Sequence, residues 1–210
     1  VRADKVLAKA IALGQTDAAT RLWHDRSTVY SALQKRVGPA AVAAEVVKKG
    51  GEALSVRADV ADSEAARGLV EQVVAKWGRV DVLVNTVGAF NWNPVVEIEP
   101  DEWRRVVATN LDSVFHMCRL VVPHMREKRF GRIVNFAAVG AATTVGEPQM
   151  AAYSAAKAGV VALSRALALE EARCGITVNV VSPGLLKDET GNQAAAAADA
   201  RLGDRVPVGH

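Results

Sequence analysis

Tyr153 and Lys157 are the two residues whose types and spacing most directly suggest catalysis. Their i, i+4 spacing puts both side chains on one face if the segment is helical. A free phenol has a pKa near ~10, and a neighbouring ammonium favours the phenolate and lowers that pKa. We therefore expect Tyr153 to act as a general acid or base close to neutral pH, with Lys157 as the group that adjusts it.

The apolar pattern places this pair on a helix within an alternating series of strands and helices. Helices are predicted over residues 39–49, 63–77, 100–129 and 152–173, and strands over 53–60, 80–86, 132–138 and 176–182. Such alternation indicates right-handed crossovers and an α/β fold, with a parallel sheet covered by helices on both faces. Ligands bind beyond the carboxyl ends of such strands, so the residues that follow the strands are the candidates for chemistry.

Length and composition are typical of one globular domain. The 210 residues are 50% apolar and 23% charged, which excludes a disordered, collagen-like or coiled-coil chain as the main class. Because no apolar run reaches about 18 residues and charges interrupt the N-terminal stretch, we expect neither a membrane-spanning helix nor a signal peptide. Two cysteines, Cys118 and Cys174, are too few for a disulfide framework, so a cytoplasmic location is expected.

The net charge of +3 is unevenly distributed along the chain. Residues 1–50 carry nine Lys and Arg against four Asp and Glu, a net of +5, and the remainder carries 17 against 19, a net of −2. The basic residues stand singly, without a clustered stripe or a recognition helix, so no nucleic-acid partner is expected. A basic binding module over residues 1–38 is kept as a remote third function.

Five motifs occur in a fixed order along the chain. They are Asn85–Gly88 after an apolar strand, Asn110–Leu111 in a helix, Gly131–Asn135 as a strand, Tyr153–Gly159 at a helix start and Gly175–Gly184 as the next strand. Over residues 39–200, this order resembles the short-chain dehydrogenase/reductase family, in particular its 3-oxoacyl-carrier-protein reductase-like members. The resemblance implies a Rossmann-like, doubly wound parallel sheet and an NAD or NADP cofactor.

The resemblance assigns roles to three catalytic residues. It implies that Tyr153 exchanges a proton with the substrate carbonyl or alcohol. Lys157 would lower the Tyr153 pKa and hydrogen-bond the nicotinamide ribose. Asn110 would hold a water that links Lys157 to solvent, and the alternative for Asn110 is a helix-packing amide.

The resemblance also implies a set of cofactor-binding residues. Asp59 would bind the adenine amine, although a turn residue at a strand end is the alternative. Asn85 and Gly88 keep the first and last positions of a turn that lies beside the adenosine half of the cofactor. Pro183 and Gly184 match the turn that lies against the nicotinamide.

The catalytic serine of the family is missing from this chain. It is expected shortly before the tyrosine, where Gly140 and either Ala137 or Ala138 occupy the candidate positions. Thr143 and Thr144 carry the only hydroxyls between that strand and the tyrosine, so they are the candidate substrate-binding replacements. Losing such a donor commonly costs about 3–4 kcal/mol of transition-state stabilisation.

The N-terminal glycine motif that holds the cofactor pyrophosphate is also missing. No glycine of the first fifty residues has the required spacing, so residues 1–38 are predicted to be an atypical helical segment before a partial Rossmann-like domain at 39–210. Strands 1, 2 and 7 of the family are not recognisable, so the fold is expected to be incomplete at both ends. One hypothesis is that 1–38 come from a shifted reading frame or a fusion, which the upstream coding DNA would test.

Two functional hypotheses therefore remain open. The first is an oxidoreductase that transfers hydride between NAD(P)(H) and a small-molecule carbonyl or alcohol substrate, with Phe90 in a loop that in the family walls the substrate pocket. Simple loop anchoring is the alternative for Phe90. The second is a catalytically inactive relative that acts through homo-oligomer contacts of helices 100–129 and 152–173. No metal is expected, because the four histidines lack metal-ligand spacing.

Overall fold

The computed structural model describes residues 39–183 of the chain. It contains five α-helices and three strands: α1 (Pro39–Lys48), α2 (Ser63–Trp77), β1 (Val82–Asn85), α3 (Pro100–Val107), α4 (Ser113–Lys128), β2 (Gly131–Phe136), α5 (Ala151–Glu171) and β3 (Ile176–Val181). The predictions for residues 1–38, for the stretch after Pro183 and for Gly184 lie outside the described residues.

The three strands form one parallel sheet in the order β1-β2-β3. Asn85 of β1 lies opposite Asn135 of β2, and Gly131 of β2 lies opposite Ile176 of β3. Both crossovers step in the same direction across the sheet, so right-handed connections place their helices on one face. The parallel α/β architecture predicted from the sequence is confirmed.

The strands bury one face more than the other. Along β2, buried residues alternate with half-buried ones, and Ile176 of β3 is buried while Thr177 is exposed. Within residues 39–183, one face of β2 is therefore buried and the other is half-buried. Helices α2, α4 and α5 contact each other in turn and supply one of the two predicted helical layers.

The segment over residues 53–60 was predicted to be a strand, and this prediction is wrong for the structure. A strand needs a ladder partner, and the family order places two strands between this segment and β1. No partner for it occurs within residues 39–183. The alternation that suggested a strand is nevertheless real, because Leu54, Val56 and Ala58 pack on the core and Ser55 is exposed.

Helix α2 begins and ends where its capping residues predict. The Asp62 carboxylate accepts a hydrogen bond from the Ala65 amide at 2.8 Å, and Gly78 closes the other end with φ of 70°. A side-chain acceptor at the N-cap and a left-handed glycine at the C-cap satisfy backbone groups that the helix leaves unpaired. The buried face of α2, with Leu69, Val70 and others, then joins the main core.

The predicted long helix over residues 100–129 is interrupted by a π turn. Pro100 starts α3, which ends at Val107, and the chain passes through the π turn Ala108–Asp112 before α4. Helix α4 ends at Lys128 and is capped by Arg129, a non-glycine residue in the left-handed region with φ of 49°. The single helix of the prediction is thus two α-helical segments in series, and the interruption falls on Asn110.

An ion pair joins the C-terminal ends of α4 and α5. Arg126 donates from Nε to one Glu171 oxygen at 2.8 Å and from Nη2 to the other at 2.5 Å. The hydrogen bonds from Arg126 hold the pKa of the buried Glu171 carboxyl below its usual value.

Among the residues described, none of the helices is both long and apolar enough to cross a bilayer.

Candidate active site

Tyr153 and Lys157 lie in the first two turns of α5, beside the carboxyl end of β2. The Lys157 side chain is only 5% exposed. Its Nζ donates to the Phe136 carbonyl oxygen at 2.8 Å and lies 5.6 Å from the centroid of the Tyr153 ring. The predicted pair is therefore brought together, with the ammonium directed at the last carbonyl of β2.

Burial dominates the electrostatics of this pair. It raises the pKa of Tyr153 above its usual value, and it lowers the pKa of Lys157 from 10.5 to about 8. The net direction of the Tyr153 pKa shift is thus opposite to the expected one, because burial disfavours the phenolate and the Lys157 ammonium bonds to the Phe136 carbonyl. The proposed role of Lys157 in lowering this pKa stays a prediction.

Asn110 lies in the π turn and is fully buried. Its Nδ2 donates to the Ala89 carbonyl at 2.6 Å and to the Val106 carbonyl at 2.9 Å. These contacts are those of a packing amide, which was the alternative interpretation. Its Oδ1 has no hydrogen-bond partner within residues 39–183, so one buried acceptor stays available to a water or a ligand.

Gly88 lies against Asn110 so closely that a side chain cannot fit. A Cβ added at this position would overlap Asn110 Oδ1 and contact its Cγ. The exposed turn after β1 and the buried amide therefore fit each other only because residue 88 is glycine. Glycine is required here because the backbone of residue 88 approaches the Asn110 side chain closely.

We predict that Gly88→Ala destabilises the protein by about 2–3 kcal/mol, because Asn110 must move and lose hydrogen bonds in the core. Urea unfolding followed by circular dichroism measures the change. The matched control is Gly68→Ala in α2, where an added Cβ meets nothing within 4 Å. This control should stabilise the helix by about 0.5–1 kcal/mol. Equal effects of the two substitutions would contradict the prediction.

Two of the predicted cofactor residues have their side chains engaged elsewhere. Asn85 is buried at the end of β1, and its Nδ2 donates to Asn135 Oδ1 at 2.8 Å. Asp59 is exposed, and its Oδ1 accepts a hydrogen bond from the Ala61 amide at 3.0 Å, as in a turn. Pro183 follows β3 and is half-buried. Contact of these residues with a dinucleotide remains a prediction.

The two candidate replacements for the missing serine are exposed. The Thr143 hydroxyl donates to the Gly140 carbonyl at 3.0 Å, and the Thr144 hydroxyl donates to the Thr143 carbonyl at 2.7 Å. Both hydroxyls are thus engaged within their own loop. Of the two alanines that the strand places at the serine position, Ala137 is buried and Ala138 is half-buried.

An aromatic wall stands beside the tyrosine. The Phe90 ring meets the Tyr153 ring edge-on at 5.1 Å between centroids, and Trp92 lies 5.8 Å from Phe90. The loop that carries them is held by Asn93, whose amide donates to the Gln149 carbonyl at 2.9 Å and whose Nδ2 donates to Glu102 at 3.0 Å. Phe90 is therefore placed at the predicted site as well as in a fixed loop.

Sequence reasoning missed two polar residues of the core. Asn135 is fully buried in β2 and Ser164 is buried in α5, and the two side chains bond to each other. The available signal was the position of Asn135 in the otherwise apolar run Ile133–Phe136, since a polar residue there must find a partner.

No group of three or more metal-ligating side chains occurs within residues 39–183.

The sequence matches the short chain dehydrogenase family over residues 9–200. The chain belongs to this family. The resemblance stated from the five motifs is confirmed, and the match begins well before residue 39. It thus includes most of the segment 1–38, whose atypical helical character remains a prediction.

Individual relatives agree with this assignment. The 3-oxoacyl-(acyl-carrier-protein) reductase FabG of Haemophilus influenzae is 37% identical in an alignment of 171 positions that covers 77% of this chain and 70% of that protein. FabG of Staphylococcus epidermidis is 35% identical over 80% of this chain and 68% of that protein. The crystal structure of NAD+-bound xylitol dehydrogenase matches with a TM-score of 0.70 and 33% identity. It covers 81% of this chain, and the chain spans 64% of the length of that structure.

The residues present fit the nicotinamide end of the cofactor that this family implies. Lys157 offers a buried donor and Asn110 Oδ1 a buried acceptor without a partner in residues 39–183. Asn110 Oδ1 lies directly against Gly88, where any Cβ would overlap it. A pyrophosphate-binding segment would lie outside the described residues.

Proposed function

We propose that this chain is an NAD(P)-dependent oxidoreductase that interconverts a carbonyl and an alcohol. The observation that carries the proposal is the half-buried Tyr153 beside the buried Lys157 at the carboxyl edge of the parallel sheet. In the direction of reduction, a bound nicotinamide would supply the hydride that reaches the carbonyl carbon. Tyr153 supplies the proton to the oxygen, so the product is the alcohol and Tyr153 is left as phenolate.

Residues of the chain would bind the cofactor ribose, relay protons and exclude water from the site. Lys157 would bind the nicotinamide ribose and return a proton to Tyr153, which its lowered pKa of about 8 favours near neutral pH. Asn110 would hold a water with its unpaired Oδ1 and so connect this relay to solvent. The rings of Phe90 and Trp92 would exclude water from the reacting centre and accept an apolar portion of the substrate.

The substrate class and assembly are part of the same proposal. The FabG relatives are reductases of 3-oxoacyl groups and the structural relative is a xylitol dehydrogenase, so a small carbonyl or alcohol substrate is proposed. A homo-oligomer formed through α3–α4 and α5 is proposed as the assembly. Exposed apolar residues on these helices, Trp103, Phe115 and Leu169, support such an interface. A cytoplasmic location remains a prediction.

A second candidate is a catalytically inactive relative that acts through these oligomer contacts. The observation that favours it is the absence of a free hydroxyl beside Tyr153 in the described loop, because Thr143 and Thr144 are engaged by their own backbone. Without such a donor, the developing charge on the substrate oxygen loses about 3–4 kcal/mol of stabilisation.

Titration of the purified full chain with NADH and with NADPH separates the two candidates. We expect nicotinamide fluorescence to change with a Kd between about 1 μM and 1 mM for at least one cofactor, the range in which enzymes commonly bind substrates. Thermal shift in the same samples provides a second measure, because a bound ligand stabilises the folded state. No change with either cofactor at millimolar concentration would reject the oxidoreductase and favour the inactive relative.

A further inference from the structure

A line of buried polar side chains connects the sheet with the helix that carries Tyr153 and Lys157. Asn135 Oδ1 accepts a hydrogen bond from Asn85 Nδ2 at 2.8 Å, and Asn135 Nδ2 donates to Ser164 Oγ at 2.8 Å. Ser164 Oγ in turn donates to the Val160 carbonyl at 2.6 Å. Every polar atom of Asn135 is thus bonded, and the line runs from β1 through β2 into α5.

A second polar contact joins the same strand and helix. Phe136, the residue after Asn135, provides the carbonyl that accepts the Lys157 ammonium. Two consecutive residues of β2 therefore hold two residues of α5, Lys157 and Ser164, that are seven positions apart. Seven positions are about two helical turns, so both contacts lie on one face of α5.

The contact surface between these two polar points is apolar. Val160 and Val161 of α5 are buried there. Apolar packing is non-directional and permits a helix to slide or rotate slightly, whereas a hydrogen bond restricts distance and angle. Buried polar groups are costly when a partner is lost, so this line also disfavours alternative positions of α5.

We propose that Asn135, acting through Ser164, is the positioning residue for Lys157. It fixes α5 on β2 in the one register at which the Lys157 ammonium reaches the Phe136 carbonyl. The catalytic significance of this position rests on the function proposed above, whereas the positional claim concerns the folded chain alone. Because Asn85 opens the turn that ends at Gly88, the same line also holds that turn at a fixed distance from α5.

The test compares three variants of the full chain. Ser164→Ala removes the acceptor for Asn135, Ser164→Thr keeps a hydroxyl, and Val161→Ala loosens the same face of α5 without touching a polar contact. Competitive acylation of lysines across pH, read by mass spectrometry of the Lys157 peptide, gives the pKa of Lys157. Tyr153 is the titratable side chain in contact with Lys157 in the described structure, so its state is followed by its ultraviolet absorbance.

We expect Lys157 to titrate near about 8 in the unaltered protein. In Ser164→Ala its pKa should rise by about half a unit or more, because the ammonium leaves its buried contact and becomes better solvated. Ser164→Thr and Val161→Ala should leave the pKa of Lys157 unchanged. Circular dichroism verifies that each variant is folded. Asn135→Val is a second, stronger test, because it removes the hydrogen bonds of Asn135 to both Asn85 and Ser164.

The proposal is overturned if folded Ser164→Ala keeps the unaltered Lys157 pKa, or if Val161→Ala shifts it equally. The acylation experiment needs neither cofactor nor turnover. A failed cofactor titration with the expected Lys157 shifts would therefore reject the proposed oxidoreductase and leave the positioning role standing. Cofactor binding without the Lys157 shifts would support the proposed oxidoreductase and reject the positioning role of Asn135.

Discussion

Tyr153→Phe is expected to lower turnover by about 10²–10⁴-fold and to leave cofactor binding nearly unchanged. The substitution removes only the phenolic hydroxyl, so the edge-on contact with Phe90 and the packing of α5 are kept. The hydroxyl is the group proposed to supply the proton, whereas no contact proposed for the cofactor depends on it. The measurements are NAD(P)H oxidation with a panel of carbonyl substrates and cofactor fluorescence titration.

The control for this prediction is Glu71→Ala in α2. Glu71 is exposed and lies outside both the site and the proposed oligomer interface, so its removal should leave both measurements unchanged. Full turnover in Tyr153→Phe would exclude the phenol as the proton donor. Loss of cofactor binding in the same variant would show that the hydroxyl holds the cofactor rather than the proton.

Lys157→Met is expected to abolish turnover and at the same time to stabilise the fold below about pH 8. Burial depresses the Lys157 pKa from 10.5 to about 8, which corresponds to a cost of about 3 kcal/mol for the charged form at about 1.4 kcal/mol per unit. The lost hydrogen bond to the Phe136 carbonyl offsets part of this, by about 1–2 kcal/mol. The expected net gain in unfolding free energy is about 1–2 kcal/mol, measured by urea unfolding.

The pH dependence of this gain has a definite sign. The Lys157 pKa is lower in the folded state than in the unfolded state, so the unfolded chain binds more protons between about pH 8 and 10.4. The unfolding free energy of the unaltered protein therefore rises with pH across this window, and its difference from Lys157→Met shrinks. A stability difference that is constant from pH 7 to pH 10 would show that the charge of Lys157 is not its cause. Lys76→Met is the control, because Lys76 is an exposed helix residue with no such burial.

The elements could be predicted where their signals are local. The stop at Gly78 and the apolar period before it predict the range 63–77, which is the range of α2. The segment 53–60 has an equally good local pattern, but its ladder depends on chain far away in sequence, and the prediction of a strand was wrong. The π turn at 108–112 was also not predicted, because it has no propensity signal and is set by how Asn110 packs.

The proximity of Tyr153 and Lys157 could be predicted from the sequence, whereas the electrostatics around them could not. The spacing of Tyr153 and Lys157 placed them together, as the structure shows. The direction of the Tyr153 pKa shift was wrong, because burial is a property of the tertiary fold that two residues in sequence do not carry. Asn135 and Ser164 were missed for the same reason, since their partners lie on different elements.

The π turn also decides how the two halves of the long helix are oriented around their axis. A π turn holds one residue more than an α turn, and one residue is about 100° of rotation. This extra residue lets Asn110 face the loop after β1 while Val114, Met117 and Val121 face the core. The π turn therefore adds one residue to the helix. Deleting that one residue would rotate the apolar stripe of α4 away from the sheet.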